Sequence, residues 1–178
     1  MKYLGLLFDG LGRNFLITIA SMMFPLGIGI LLSIFVRKSE TAAKVFNWVK
    51  IPFECISIPS LLLTVYYLTA YYFYYLPNNI LATIIVFSVT FICYMPSRYD
   101  RSSSFGKNLL YNGLGLFSAL FKWSFVTHLI GVADLFGAAR SVFGVTYQGW
   151  PYAATFVIAA GVLVVVEIGR ALVKQLMK

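Results

Sequence analysis

A run of 22 residues without a charge, Phe15 to Val36 (FLITIASMMFPLGIGILLSIFV), ends abruptly at Arg37-Lys38. As a helix it rises about 33 Å at 1.5 Å per residue, enough to cross the roughly 30 Å hydrocarbon slab of a bilayer. Pro25 sits in the middle of the run. It is tolerated there if a neighbouring helix satisfies the carbonyl it frees. Four more apolar runs follow, Ile56–Leu76, Ile80–Met95, Leu109–Ala133 and Tyr152–Val173. The pattern predicts an all-α membrane protein, one domain over 1–178, with about five transmembrane helices at 14–36, 54–76, 79–96, 109–132 and 151–174. Hydrophobic residues make up 60% of the chain and charged residues 11%, against about 45–50% and roughly 25% in soluble domains. A soluble core of this length could not hide that much apolar surface. The N-terminal MKYLGLLFDGLGR has too short an apolar run for a signal peptide, so the first long run is expected to be a retained helix.

Five spans put the termini on opposite sides. With the N-terminus outside, Arg37, Lys38, Lys44, Lys50, Arg98, Arg101, Lys107, Arg170, Lys174 and Lys178 all lie inside, and only Lys2, Arg13 and Arg140 outside. Excess Lys and Arg mark the cytoplasmic side, so the expected orientation is N-out, C-in. The same rule accounts for the net charge of +8 without a nucleic-acid partner. Between the first two runs, RKSETAAKVFNWVK has Ala42, Val45, Phe46 and Val49 at three- and four-residue spacing, the pattern of a short amphipathic surface helix.

The sequence has no Gly-Lys-Ser phosphate loop, no HExxH and no CxxC, and its two cysteines, Cys55 and Cys93, have no ligand-like neighbours. An enzyme is not expected, nor a metal or a cofactor held by this chain. Ionisable residues inside apolar runs are the candidates for function, because a charge in hydrocarbon costs a few kcal/mol or more and usually faces protein or water. Lys122, nine residues before Gly131, is expected near the midplane of its helix. Ser124, Thr127 and His128 are three or four residues apart and would share a helical face. Lys122 fits either a solute-pathway or subunit-interface residue, or one half of a structural ion pair. His128 fits a hydrogen-bonded structural residue, and Glu167 a partner for Arg170. Tyr66, Tyr67, Tyr71, Tyr72, Tyr74 and Tyr75 crowd the end of the second run. They read as an interfacial aromatic belt or as a path for an amine-bearing solute.

The span KWSFVTHLIGVADL, Lys122 to Leu135, resembles the signature of polar amino-acid ABC importer permeases, in which a Lys-Asp-Thr-Ser-Leu run leads into Ile-Gly-Val and Asp-Leu. Lys122 matches, Ser124 stands for the Thr, and Ile130 to Leu135 matches throughout. GLGRNFLITIASMMFPLGIGILLSIFVRKS is similar to the family's first helix. SIPSLLLTVYYL is similar to its Arg-Gly-Thr-Pro-Leu-Leu segment, with Pro59 kept and the Arg-Gly-Thr replaced. The resemblance implies a type I ABC importer permease fold, with Pro59, Gly131 and Asp134 as structural motif positions and Lys122, Ser124, Thr127 and His128 beside the pathway or the subunit interface. It also implies a bacterial inner-membrane, multi-pass location amid membrane lipid, a second permease chain, and a cytoplasmic ABC ATPase that carries the ATP and Mg. A solute-binding protein outside would complete such a system. The family's Glu-Ala-Ala coupling loop has no counterpart in PSRYDRSSSFGKNLLYNG. The implied function is therefore the degenerate half of a heteromeric importer of amino acids or similar small polar solutes. The alternatives are a non-transporting scaffold or regulatory subunit that keeps the fold, or an unrelated five-helix membrane protein.

Overall fold

A computed structural model describes residues 2–55, 57–73, 78–92 and 105–177, and among these every regular element is helical. The helices are α1 (Lys2–Lys38), α2 (Glu40–Cys55), α3 (Ile58–Phe73), α4 (Asn79–Ile92), α5 (Phe105–Ser124), α6 (Leu135–Thr146) and α7 (Trp150–Met177), with a 3-10 turn at Thr127–Ile130 between α5 and α6. Among the described residues, two stretches are long and apolar enough to cross a membrane, Tyr3–Leu32 and Trp150–Leu176, and α4 and α6 are shorter apolar helices. Each predicted apolar run contains a helix, and the expected amphipathic surface segment forms α2.

The boundaries differ from the predicted ones in instructive ways. α1 begins 12 residues before position 14, because Gly10, Gly12 and Asn14 continue the helix rather than break it. The fourth helix covers 105–124 and not 109–132, so FGKNLLYNG belongs to α5, and residues 93–104 before it lie outside the described residues. The expected ends of the second and third helices, 74–76 and 93–96, lie outside the described residues. α6 falls between the fourth and fifth predicted spans.

α1 is the central post, packed on α4, α5 and α6. α7 lies against α5 and α6, α3 against α4, and α2 mainly against α1. The main core joins Ile17, Leu62, Phe87, Leu116 and Leu120 to Ile130 and Val132, and a smaller one joins Leu7 to Leu135, Ala138 and Ala139. Pro25 lies inside α1, and its missing N–H frees the Ser21 carbonyl four residues back. The Ser88 hydroxyl on α4 donates to that carbonyl at 3.3 Å. Helix starts follow side-chain chemistry. Ser57 Oγ accepts from the Ser60 N–H ahead of α3, leaving Pro59 in the first turn where its lost donor costs nothing. Asn78 Oδ1 accepts from the Ile80 and Leu81 N–H groups ahead of α4.

Candidate functional site

Two polar clusters stand out, and they are built differently. The first closes the turn after α5. The Val126 N–H donates to the Trp123 carbonyl (3.0 Å), tightening the last turn, and the 3-10 helix ends at Gly131 with φ +81°. A side chain there would be strained by that φ and would press on Asn79 Nδ2 at 3.2 Å, so the position requires glycine. Asp134 then caps α6, its Oδ1 accepting from the Gly137 N–H (2.7 Å). Asp134 Oδ2 accepts from the His128 N–H (3.0 Å) and lies 2.8 Å from Thr127 Oγ1. Thr127 Oγ1 is also 2.7 Å from the Ser124 carbonyl, and its single proton serves one of these acceptors at a time.

α1 is tied into the same cluster. Asn14 Nδ2 donates to Ser124 Oγ (2.6 Å), and Asn14 Oδ1 accepts from the Leu135 N–H (2.7 Å). A Cβ on Gly10 would meet the Asp134 carbonyl oxygen at 2.7 Å and the Leu135 Cα at 2.8 Å, so the backbones touch at that point. Asn79 bridges from α4, accepting from the Tyr66 hydroxyl (2.9 Å) and donating to the Ile130 carbonyl. His128 Nδ1 lies 2.7 Å from the Phe125 carbonyl, which selects the Nδ1–H form, and its ring packs against Phe136. Burial pushes the Asp134 carboxyl up from its ordinary range. Hydrogen bonds from Gly137, Thr127 and His128, with the nearby imidazole, pull the other way.

The second cluster lies between α5 and α7. Ser118 Oγ donates to Glu167 Oε1 (2.7 Å), and Arg170 lies 3.5 Å from the other oxygen, as the three-residue spacing predicts. The Arg170 guanidinium sits over the Tyr111 ring at 4.7 Å. A Cβ on Gly115 would stand 3.3 Å from it, so the glycine opens the slot in which it lies flat. The Glu167 and Arg170 side chains are still 44% and 32% exposed, and Lys122, whose charge reaches Glu167, is exposed on the same side. Around them α7 exposes Val164, Val165, Ile168 and Leu172. Lipid solvates those valines and leucines, but not a carboxylate and two cations.

The residues singled out from sequence divide between these clusters. Ser124 and Thr127 are fully buried in the first, with His128 at its edge and 21% exposed. They converge through a turn and not along a helical face, because α5 has already ended. Lys122 stands apart, in the last turn of α5 and not in the middle of a helix. Pro59, Gly131 and Asp134 have the structural roles described above. Tyr66 is buried and hydrogen-bonded, Tyr67, Tyr71 and Tyr72 are exposed, and Tyr74 and Tyr75 lie outside the described residues. Sequence reasoning missed Asn14 and Asn79. An asparagine opening an otherwise apolar run, and a second one just after a helix-breaking Pro-Asn, were the available signals. Arg13, Asn78, Asn79 and Gly131 line a polar cleft of about 250 Å³ beside the turn, and an apolar groove of about 610 Å³ runs between α1, α5 and α7 past Met22, Gly113 and Val166. Among the described residues no group of His, Cys, Asp and Glu could hold a metal.

This arrangement of helices has been seen before. A solved structure described as the crystal structure of an amino acid ABC transporter with histidines is similar to the chain with a TM-score of 0.77, over 99% of this chain and 94% of that one. The chain shares its fold with that structure. Identity is 16%, so the likeness lies in the path of the backbone and not in shared side chains. No family model matches the sequence, and no curated protein matches it.

Proposed function

We propose that the chain is the transmembrane subunit of an ABC-type importer for amino acids or similar small polar solutes, serving as the reduced half of a heteromeric permease pair in a bacterial inner membrane. One observation carries the reading: on a transporter backbone, Lys122, Glu167 and Arg170 project from one side of α5 and α7, where a lipid neighbour would be prohibitive. Water or a second permease chain on that side removes the cost. Lys122 then borders the solute path, and Ser124, Thr127 and His128 fix the turn beside it. A cytoplasmic ABC ATPase supplies ATP hydrolysis with its own Mg, and a solute-binding protein delivers the cargo from outside.

The sequence between Ile92 and Phe105 has only 12 residues and no Glu-Ala-Ala motif, which supports the reduced role with the main ATPase contact on the partner permease. The same shortness favours a second reading, a non-transporting scaffold or regulatory subunit that keeps the fold. Affinity purification in mild detergent separates the two. The transport reading expects a Walker-motif ATPase and a second permease to copurify, with solute-stimulated ATPase activity in liposomes that falls on Lys122→Ala. Recovery of a stable homomer without an ATPase would overturn it.

A further inference from the structure

Among the described residues, α2 keeps an exposed face. It starts one residue after α1, with Ser39 Oγ accepting from the Ala42 N–H at 3.3 Å, and its main packing partner is α1. Ala42 and Phe46 are partly buried, whereas Val45, Trp48 and Val49 form an adjoining exposed stripe at three- and four-residue spacing, with Trp48 77% exposed. The adjoining side carries Glu40, Lys44 and Asn47, with Lys44 one turn before Trp48, and the Glu40–Lys44 ion pair (3.1 Å) is open to solvent. Counting Arg37, Lys38, Lys44 and Lys50 against Glu40 and Glu54, the segment 37–55 has a net charge of 4 − 2 = +2.

We propose that α2 is an interfacial anchor for anionic phospholipid, with Val45, Trp48 and Val49 among the acyl chains and the basic residues at headgroup phosphates. Three observations point to a bilayer surface as the occupant. α2 begins where the apolar part of α1 has run the thickness of the hydrocarbon, so it starts at headgroup level. A tryptophan flanked by valines on one side and charges on the other is stable at that boundary and in neither bulk phase. The excess of cations selects a negatively charged surface. The inference needs only that α1 crosses a membrane, and it stands or falls independently of transport.

Trp48 reports on itself once Trp123→Phe and Trp150→Phe make it the only tryptophan. The full chain in detergent is titrated with phospholipid brominated on its acyl chains, carrying either phosphatidylglycerol or phosphatidylcholine headgroups, and Trp48 fluorescence is followed. Quenching is expected with both, with half-effect at about fivefold less phosphatidylglycerol than phosphatidylcholine. Lys44→Gln with Lys50→Gln should erase that difference while leaving quenching in place. Glu40→Gln, which frees Lys44, should widen it. Absence of quenching would mean that protein covers the stripe, and equal response to the two headgroups would remove the anionic selectivity; either result overturns the proposal.

Discussion

The turn around Asp134 and the α5–α7 face are both polar clusters in an apolar protein, yet they solve opposite problems. At the turn, the Asp134 carboxylate accepts hydrogen bonds from Gly137 and His128, Asn14 uses both ends of its amide, and the contributing residues come from α1, α5 and α6. Asp134 and Asn14 find these partners within the chain. On the α5–α7 face, Glu167 and Arg170 satisfy each other only partly, and the Nε of Arg170 is buried without a partner among the described residues. Closure of a hydrogen-bond set marks polarity that serves the fold, and residual exposure of charge in an apolar helix marks polarity that awaits something outside the chain.

The contrast can be broken in order of effect. Asp134→Ala should be the most damaging change. It removes the α6 cap and strands the buried N–H groups of His128 and Gly137, for a loss of about 3 kcal/mol seen as a lower unfolding temperature in detergent. Gly10→Ala should follow at about 2 kcal/mol, because its Cβ would stand 2.7 Å from the Asp134 carbonyl and rigid backbone must move. Glu167→Gln should leave the unfolding temperature nearly unchanged and cut solute-stimulated ATPase activity of the assembled transporter roughly tenfold. A large stability loss there would place Glu167 with the closed cluster and erase the distinction. The smallest effect is expected at the end of α6, where exposed Tyr147 adopts φ +53°. Tyr147→Gly should raise stability by up to about 1 kcal/mol, because glycine meets no steric penalty in the left-handed region.

Much of the fold was legible because lipid imposes a simple rule. Runs such as Phe15–Val36 and Tyr152–Val173 have only one favourable solution, and α1 and α7 follow them. Apolarity alone does not mark where a helix stops, so Leu109–Ala133 read as a single span. Only the backbone reveals the tightened turn after Ser124 and the left-handed Gly131. The i+3/i+4 spacing of Ser124, Thr127 and His128 led to a true proximity for the wrong geometric reason. Asn14 and Leu135 escaped pairing because no local pattern links residues 121 positions apart. Glu167 and Arg170 were paired correctly, since one helical turn is a local relation. The stacking of Arg170 on Tyr111 beside Gly115 required the α5–α7 contact.

The contact between Asn14 and Leu135 also has a consequence in time. The two residues are 121 positions apart, and at about 5 to 20 residues per second a ribosome needs roughly 6 to 24 s to make the chain between them. Until Ser124 and Leu135 are made, α1 carries the Asn14 amide and the bare backbone at Gly10 without the partners they have in the fold. The N-terminal helix must therefore wait in the bilayer, and whatever shields Asn14 during that wait governs how much of the newly made chain reaches the folded state.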